Sequence, residues 1–178
     1  MDLFVIATSF VLRVYAGALV VNLHMNVWFL LTVISLALFL AVGKRQSERT
    51  LLQGISANLS GHRATLQTYN QNLLDIYTGM FANATWLSYA LFAFNYQPIK
   101  PQGFLLSLYT IFPKTFNSEK LLMVTIPLVI YGVMRYLQLV YEQNKGESPE
   151  RILLSDAPLI TVVMFWSWLV FIIIYWLG

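Results

Sequence analysis

The residues with the most chemistry in them stand together. In "LALFLAVGKRQSER" (Leu36 to Arg49) a run without charge ends at Gly43, and Lys44, Arg45, Glu48 and Arg49 follow at once. Lys44 and Glu48 are four apart, as are Arg45 and Arg49, so on a helix the two pairs occupy adjacent faces. Two readings are open. Lys and Arg at the end of a membrane-crossing helix anchor it among lipid headgroups, at about 1 kcal/mol per basic residue. The same set could bind an anion, because a point-charge Lys beside a bidentate Arg is a combination that recognises phosphate, and an acid inside the cluster adds nothing to an anchor.

Arg13 is the second candidate. It lies about ten residues into the first apolar run, so about 15 Å from that end at 1.5 Å per residue. A charge at that depth costs about 2.5 to 3.5 kcal/mol on insertion scales, which predicts that it faces the bundle interior or a wet cavity. Asp2, Ser9, Arg13 and Gly17 fall on one helical stripe, polar and small. A structural arginine and a ligand-binding one both fit that spacing. Arg135 is near the end of a later run, where snorkelling could reach water, with Tyr131, Gln138 and Tyr141 near its face and Tyr136 pointing elsewhere. Asp75 and Asp156 each stand at the start of an apolar run, where a carboxylate caps amides and gains from the helix dipole. "SDAP" (Ser155 to Pro158) reads as a helix start, and Asp156 has a second possible role holding a metal or a basic partner.

The elements that must position these residues follow from composition. Of 178 residues, 58% are hydrophobic and 11% charged, against roughly a quarter charged in soluble domains. Charge-free runs from Val14 to Gly43, Ile76 to Ile99 and Ala157 onward exceed the about 20 helical residues that cross a hydrocarbon core. Continuous rather than alternating apolarity selects helices over a barrel. The chain is therefore expected to be an all-α integral membrane protein, one helical domain over 1–178, with five transmembrane helices at about 3–23, 27–43, 73–95, 121–141 and 157–177. The first two form a tight hairpin; 44–72 is expected to be a short helix or ordered loop, and 96–120, with Pro98, Pro101 and Pro113, an irregular interfacial segment. Lys44, Arg45, Arg49, Arg63, Lys145 and Arg151 fall on one side, and Lys100, Lys114 and Lys120 on the other, which makes the first side cytoplasmic.

Other chemistries find no support in the sequence. There is no cysteine, hence no disulfide framework or thiolate site. His24 and His62 fall on opposite sides of the expected membrane, and no phosphate-binding loop, dinucleotide fingerprint, nucleophile triad or nucleic-acid-binding face is evident.

"DLFVIATSFVLRVYAGALVV", "LALFLAVGKRQSE", "HRATLQTYNQNLLD", "TIPLVIYGVMRYLQLV" and "SPERILLSDAPL" together resemble, in order and along essentially the whole chain, the C-terminal half of the UbiA prenyltransferase superfamily. The resemblance is to its decaprenyl-phosphate phosphoribosyltransferase branch. It implies a nine-helix fold of which these five are the last, transfer of a 5-phosphoribosyl group from phosphoribosyl diphosphate to polyprenyl phosphate, release of diphosphate, and a requirement for Mg²⁺. Carried over by position, it implies that Lys44 and Arg45 hold donor phosphates and that Glu48 orients them or assists a metal. Arg13 would line the cavity beneath, Asp2 would stand at its rim, and Arg135 and Asp156 would lie at the same membrane face. The implied location is the cytoplasmic face of a prokaryotic plasma membrane.

One departure is large. The family's Asn-Asp-x-x-Asp-x-x-x-Asp motif, its main metal-diphosphate site, is absent from this sequence. The chain is expected to be a fragment, a product of a misassigned start or one half of a split protein, inactive alone and in need of a chain carrying the missing helices. Two alternatives are a prenyltransferase with a prenyl diphosphate donor and an aromatic acceptor, and a non-catalytic membrane assembly subunit. Lys44, Arg45 and Glu48 stand where the prenyltransferases carry a second aspartate-rich motif, which favours the phosphoribosyl branch.

Overall fold

The computed structural model describes residues 2–20, 26–55, 71–96, 118–142 and 155–175. The elements among them are helical: α1 (Asp2–Val20), α2 (Val27–Ile55), α3 (Gln71–Asn95), a 3₁₀ segment (Ser118–Thr125) that runs into α4 (Ile126–Glu142), and α5 (Ala157–Tyr175). Four stretches are long and apolar enough to cross a membrane, namely Leu3–Val20, Val27–Ser47, Leu121–Tyr141 and Ala157–Ile174.

Over their described residues all five expected spans are helical, and the expected third, α3, stands outside this apolar set. It carries Asn72, Asp75, Thr78, Asn83, Thr85 and Ser88, and it packs in the middle of the bundle, against α2, α4, α5 and the 3₁₀ segment. Leu74, Thr78, Ala82, Thr85, Ser88, Tyr89 and Ala93 form its buried stripe. The buried hydroxyls are satisfied within the helix: Thr78 donates to Leu74 O at 2.7 Å, Thr85 to Phe81 O at 2.7 Å and Ser88 to Thr85 O at 3.0 Å. Its polar residues are what keep α3 out of the apolar set, although Ile76, Met80, Leu87 and Phe94 are exposed on its outer face.

Two helix starts are capped by side chains. Asn26 Oδ1 accepts from Trp28 N at 2.9 Å ahead of α2, and Asp156 Oδ2 accepts from Leu159 N at 3.1 Å ahead of α5, the bond expected of a residue in the N-cap position. Pro127 and Pro158, which lack an amide hydrogen, fall in the first turns of α4 and α5, and at the start of α5 that hydrogen would have no helical partner. The switch from 3₁₀ to α winding at Ile126 thus coincides with a proline. At the other end of the apolar run, α2 does not stop at Gly43 as expected but continues to Ile55. Lys, Arg, Gln, Glu and Leu are good helix formers, and nothing between Gly43 and Gly54 breaks the ladder.

The packing register is antiparallel along α1, α2 and α3. Leu3 packs with Ala41, Val42 and Leu74, while Ala7 packs with Ala37 and Leu38. Phe81 touches both clusters, and Phe29 meets Phe92 at 5.4 Å between ring centroids. Lipid is as apolar as leucine, so such interfaces rely on close van der Waals contact, which explains why small residues (Ala7, Ala37, Ala41, Gly43, Ala82, Ala93) sit in them. α4 joins through Val133, Tyr136, Leu139 and Val140 against Phe39 and Ala82, and α5 adds Leu159 to the same cluster.

At the far end, a hydrogen-bonded chain ties three elements. Trp166 Nε1 donates to the Tyr89 hydroxyl at 2.9 Å, and Thr125 Oγ1 donates to Leu122 O at 2.6 Å. The single Thr125 proton is thereby committed, so Tyr89 is the donor in its 2.6 Å bond to Thr125.

Candidate functional site

The polar end of the bundle is built on the continuation of α2. Lys44 and Arg45 are half-buried, whereas Gln46 and Ser47 are each only 2% exposed. "GKRQSER" therefore has a packed side and an open side. The uncharged pair faces the bundle and the two cations lie at its edge. The backbones of Glu48 and Arg49 belong to the same helix, and their side chains lie outside the description.

Gly43 sets how closely α4 approaches. A Cβ there would stand 2.7 Å from the Tyr136 hydroxyl and 3.1 Å from its ring, so only glycine lets Tyr136 lie against α2. Tyr136 also stacks edge-on against Phe39, with centroids 5.1 Å apart, and is 3% exposed. It points away from Arg135, as its spacing predicts.

Two carboxylates order this end, and they do so differently. Asp156 caps α5 and also receives Arg135 in a bidentate pair, Nε to Oδ2 at 3.0 Å and Nη2 to Oδ1 at 2.9 Å, while Arg135 Nη1 donates to Gln138 Oε1 at 2.8 Å. The two readings of Asp156, cap and holder of a basic partner, are thus both realised. Arg135 is a strut between α4 and α5. Asp75, expected to cap, lies a full turn inside α3, and its Oδ1 accepts from Gln46 Nε2 at 2.9 Å and from the Tyr141 hydroxyl at 2.8 Å. That carboxylate joins α2, α3 and α4. Tyr141 serves Asp75 rather than Arg135.

Arg13 lies on the exposed face of α1 among the described residues. Only one stripe of α1, through Leu3, Ala7 and Phe10, packs on α2, and Ser9, Arg13 and Gly17 are all exposed on the remaining face. The expected polar stripe is real, but it is not turned into the described bundle. The Arg13 guanidinium stands over the Phe10 ring at 5.6 Å. Because Leu3 is level with Val42, Asp2 begins α1 at the end where Lys44 sits, and Arg13 is about 15 Å further along the axis. One phosphate could not touch both Arg13 and Lys44. The Asp2 side chain lies outside the description.

Among the described side chains no three His, Asp or Glu converge on a point, and Asp75 and Asp156 are already engaged by donors. What the arrangement offers is fixed positive charge at the boundary between apolar and polar surface, on a helix held by side-chain bonds. Sequence reasoning missed Gln46 and placed Tyr141 by Arg135 and not by Asp75. The available signal was the uncharged pair inside a charged run, which marks the packed face.

No known protein-family model matches the chain. Over 174 residues, 98% of its length, it is 27% identical to a decaprenyl-phosphate phosphoribosyltransferase of Corynebacterium glutamicum, covering 47% of that protein. It is 30% identical over 95 residues to one from Mycolicibacterium smegmatis, 53% of this chain and 29% of that protein. With one from Mycobacterium tuberculosis it shares 27% over 165 residues, 93% of this chain and 47% of the relative. The chain spans about half the length of the curated relatives it matches end to end.

Proposed function

We propose that this chain is half of a membrane transferase that moves a 5-phosphoribosyl group from phosphoribosyl diphosphate to polyprenyl phosphate, working with a segment equivalent to the other half of its relatives. The observation that carries the proposal is similarity along 98% of the chain to a protein named for decaprenyl-phosphate phosphoribosyl transfer. The geometry is compatible. Lys44 and Arg45 stand half-buried where an apolar helix becomes polar, so a lipid phosphate arriving along the bilayer and a soluble donor could meet there. The polar end is read as cytoplasmic from its excess of Lys and Arg, in a prokaryotic plasma membrane.

In the reaction an oxygen of the lipid phosphate bonds to the anomeric carbon as that carbon's bond to diphosphate breaks. The electron pair leaves with diphosphate. Fixed cations facing the leaving group stabilise the charge that develops on it, which is the largest contribution the protein can make to such a step. Lys44 supplies a point charge and Arg45 a planar fork for two phosphate oxygens. Glu48 would orient them, Asp2 would lie at the rim, and Arg13, about 15 Å away along the axis, would line a deeper wall rather than share a phosphate with Lys44. Mg²⁺, which would help neutralise the diphosphate, would be held by the donor's own phosphates and by groups outside the described residues.

The test is to express the chain with a segment matching the other half of a relative and to supply its membranes with labelled phosphoribosyl diphosphate and polyprenyl phosphate. Label is expected in the lipid fraction, and none is expected from the purified chain alone. Membranes holding both halves, folded and inserted, with no labelled lipid would overturn the reading.

A further inference from the structure

We propose that Asp75 is a positioning residue for the phosphate-binding turn: by holding Gln46 and Tyr141 on one oxygen, it fixes the rotation of α2 that points Lys44 and Arg45 at their ligand. The inference rests on the proposed function for the word ligand, and on geometry alone for the rotation.

Successive residues of a helix are turned by about 100°, so the direction of Gln46 determines those of its neighbours Arg45 and Lys44. Below Gly43 the rotation of α2 is set by apolar packing at Ala37, Leu38, Phe39, Ala41 and Val42. In the turn just beyond it, Gln46 is buried to 2% and hydrogen-bonded across to α3 at 2.9 Å. α4 reaches the same oxygen through Tyr141 at 2.8 Å. α4 is itself fixed there twice, by the Gly43–Tyr136 approach and by the bidentate bond from Arg135 to Asp156. Three helix ends are therefore referred to one atom.

The donors matter as much as the acceptor. Both groups that Asp75 accepts from are neutral, an amide and a phenol. A carboxylate that takes its hydrogen bonds from neutral donors holds the turn without itself pairing with Lys44 or Arg45.

The chain has no cysteine, so single substitutions report directly on which side of α2 faces out. The experiment compares maleimide labelling rates of Lys44→Cys and Ser47→Cys in the purified chain in nanodiscs, each with Asp75 intact, Asp75→Asn or Asp75→Ala. With Asp75 intact the Lys44→Cys variant labels much faster. Asp75→Asn keeps an oxygen for both donors and is expected to keep the ratio. Asp75→Ala is expected to shrink it by at least roughly fivefold, the weight of one or two hydrogen bonds. Tyr141→Phe, which leaves the Gln46 bond to Asp75 in place, is expected to shrink it by about half as many decades and gives the answer if Asp75→Ala does not fold. An unchanged ratio in Asp75→Ala or, failing that, in Tyr141→Phe, or an asparagine variant as disordered as alanine, overturns the proposal. In the two-half transfer assay kcat/KM for phosphoribosyl diphosphate should fall in Asp75→Ala and be kept in Asp75→Asn. Absence of transfer in the unsubstituted protein would count against the proposed function and leave the labelling result standing.

Discussion

Replacing Asp156 by asparagine separates two roles that one carboxylate combines. Asparagine caps a helix about as well as aspartate, so Asp156→Asn keeps the bond from Leu159 N and loses the ionic part of the Arg135 pair. That pair is bidentate, at 3.0 and 2.9 Å, with side chains 22% and 12% exposed, so it is partly shielded from water. Hydrogen bonds to charged groups contribute about 1.5 to 3 kcal/mol, and the lower part of that range suits a pair that solvent still reaches. Asp156→Asn is therefore expected to cost about 1.5 to 2 kcal/mol of stability, and Asp156→Ala about 1 kcal/mol more through the lost cap. Arg135→Met keeps the length of the side chain and removes its charge. In a double-mutant cycle of Arg135→Met with Asp156→Asn, followed by denaturant unfolding in mixed micelles, the coupling should be about 1.5 kcal/mol. A coupling under about 0.5 kcal/mol, the range of exposed ion pairs, would refute the strut between α4 and α5.

Other outcomes follow from single contacts. Gly43→Ala places a methyl 2.7 Å from the Tyr136 hydroxyl and is expected to lower stability by about 1 to 3 kcal/mol in the same unfolding measurement, with partial recovery when Tyr136→Phe is added. Tyr89→Phe leaves the Trp166 indole without its acceptor and removes the donor to Thr125, so a loss of about 1 to 3 kcal/mol is expected, against near neutrality for Tyr131→Phe on the exposed face of α4. Asn26→Ala should cost about 1 kcal/mol through the cap of α2, and Asn26→Asp should restore it.

How far the sequence discloses this bundle depends on what each residue answers to. Apolar runs answer to lipid, and they place α1, α4 and α5, and the start of α2, to within a few residues. "SDAP" answers to local capping chemistry and is equally legible at Asp156. The length of α2 is less so, because the end of an apolar run marks the edge of the membrane and not the end of a helix. Asp75 was misread for a related reason. A carboxylate near a span's start looks like a cap until the helix is seen to include Gln71, and its partners come from residues 29 and 66 positions away in sequence. Gly43 is ambiguous in one dimension, and only the approach of Tyr136 gives it a reason. Of the candidate site, the types and order of Lys44, Arg45, Arg135 and Asp156 were legible. The separation of Arg13 from Lys44 required the register of α1 on α2.

The central claim is that Lys44 and Arg45 bind donor phosphate and are not merely an interfacial anchor. The measurement is the dependence of transfer rate on phosphoribosyl diphosphate concentration, in membranes containing both halves, for the unsubstituted protein and for Lys44→Ala and Arg45→Ala at matched membrane insertion. A lost hydrogen bond to a charged group of about 1.5 to 3 kcal/mol predicts a fall in kcat/KM of roughly ten- to a hundredfold in each variant. Transfer in both variants indistinguishable from the unsubstituted protein would contradict the claim and return the cluster to the membrane surface.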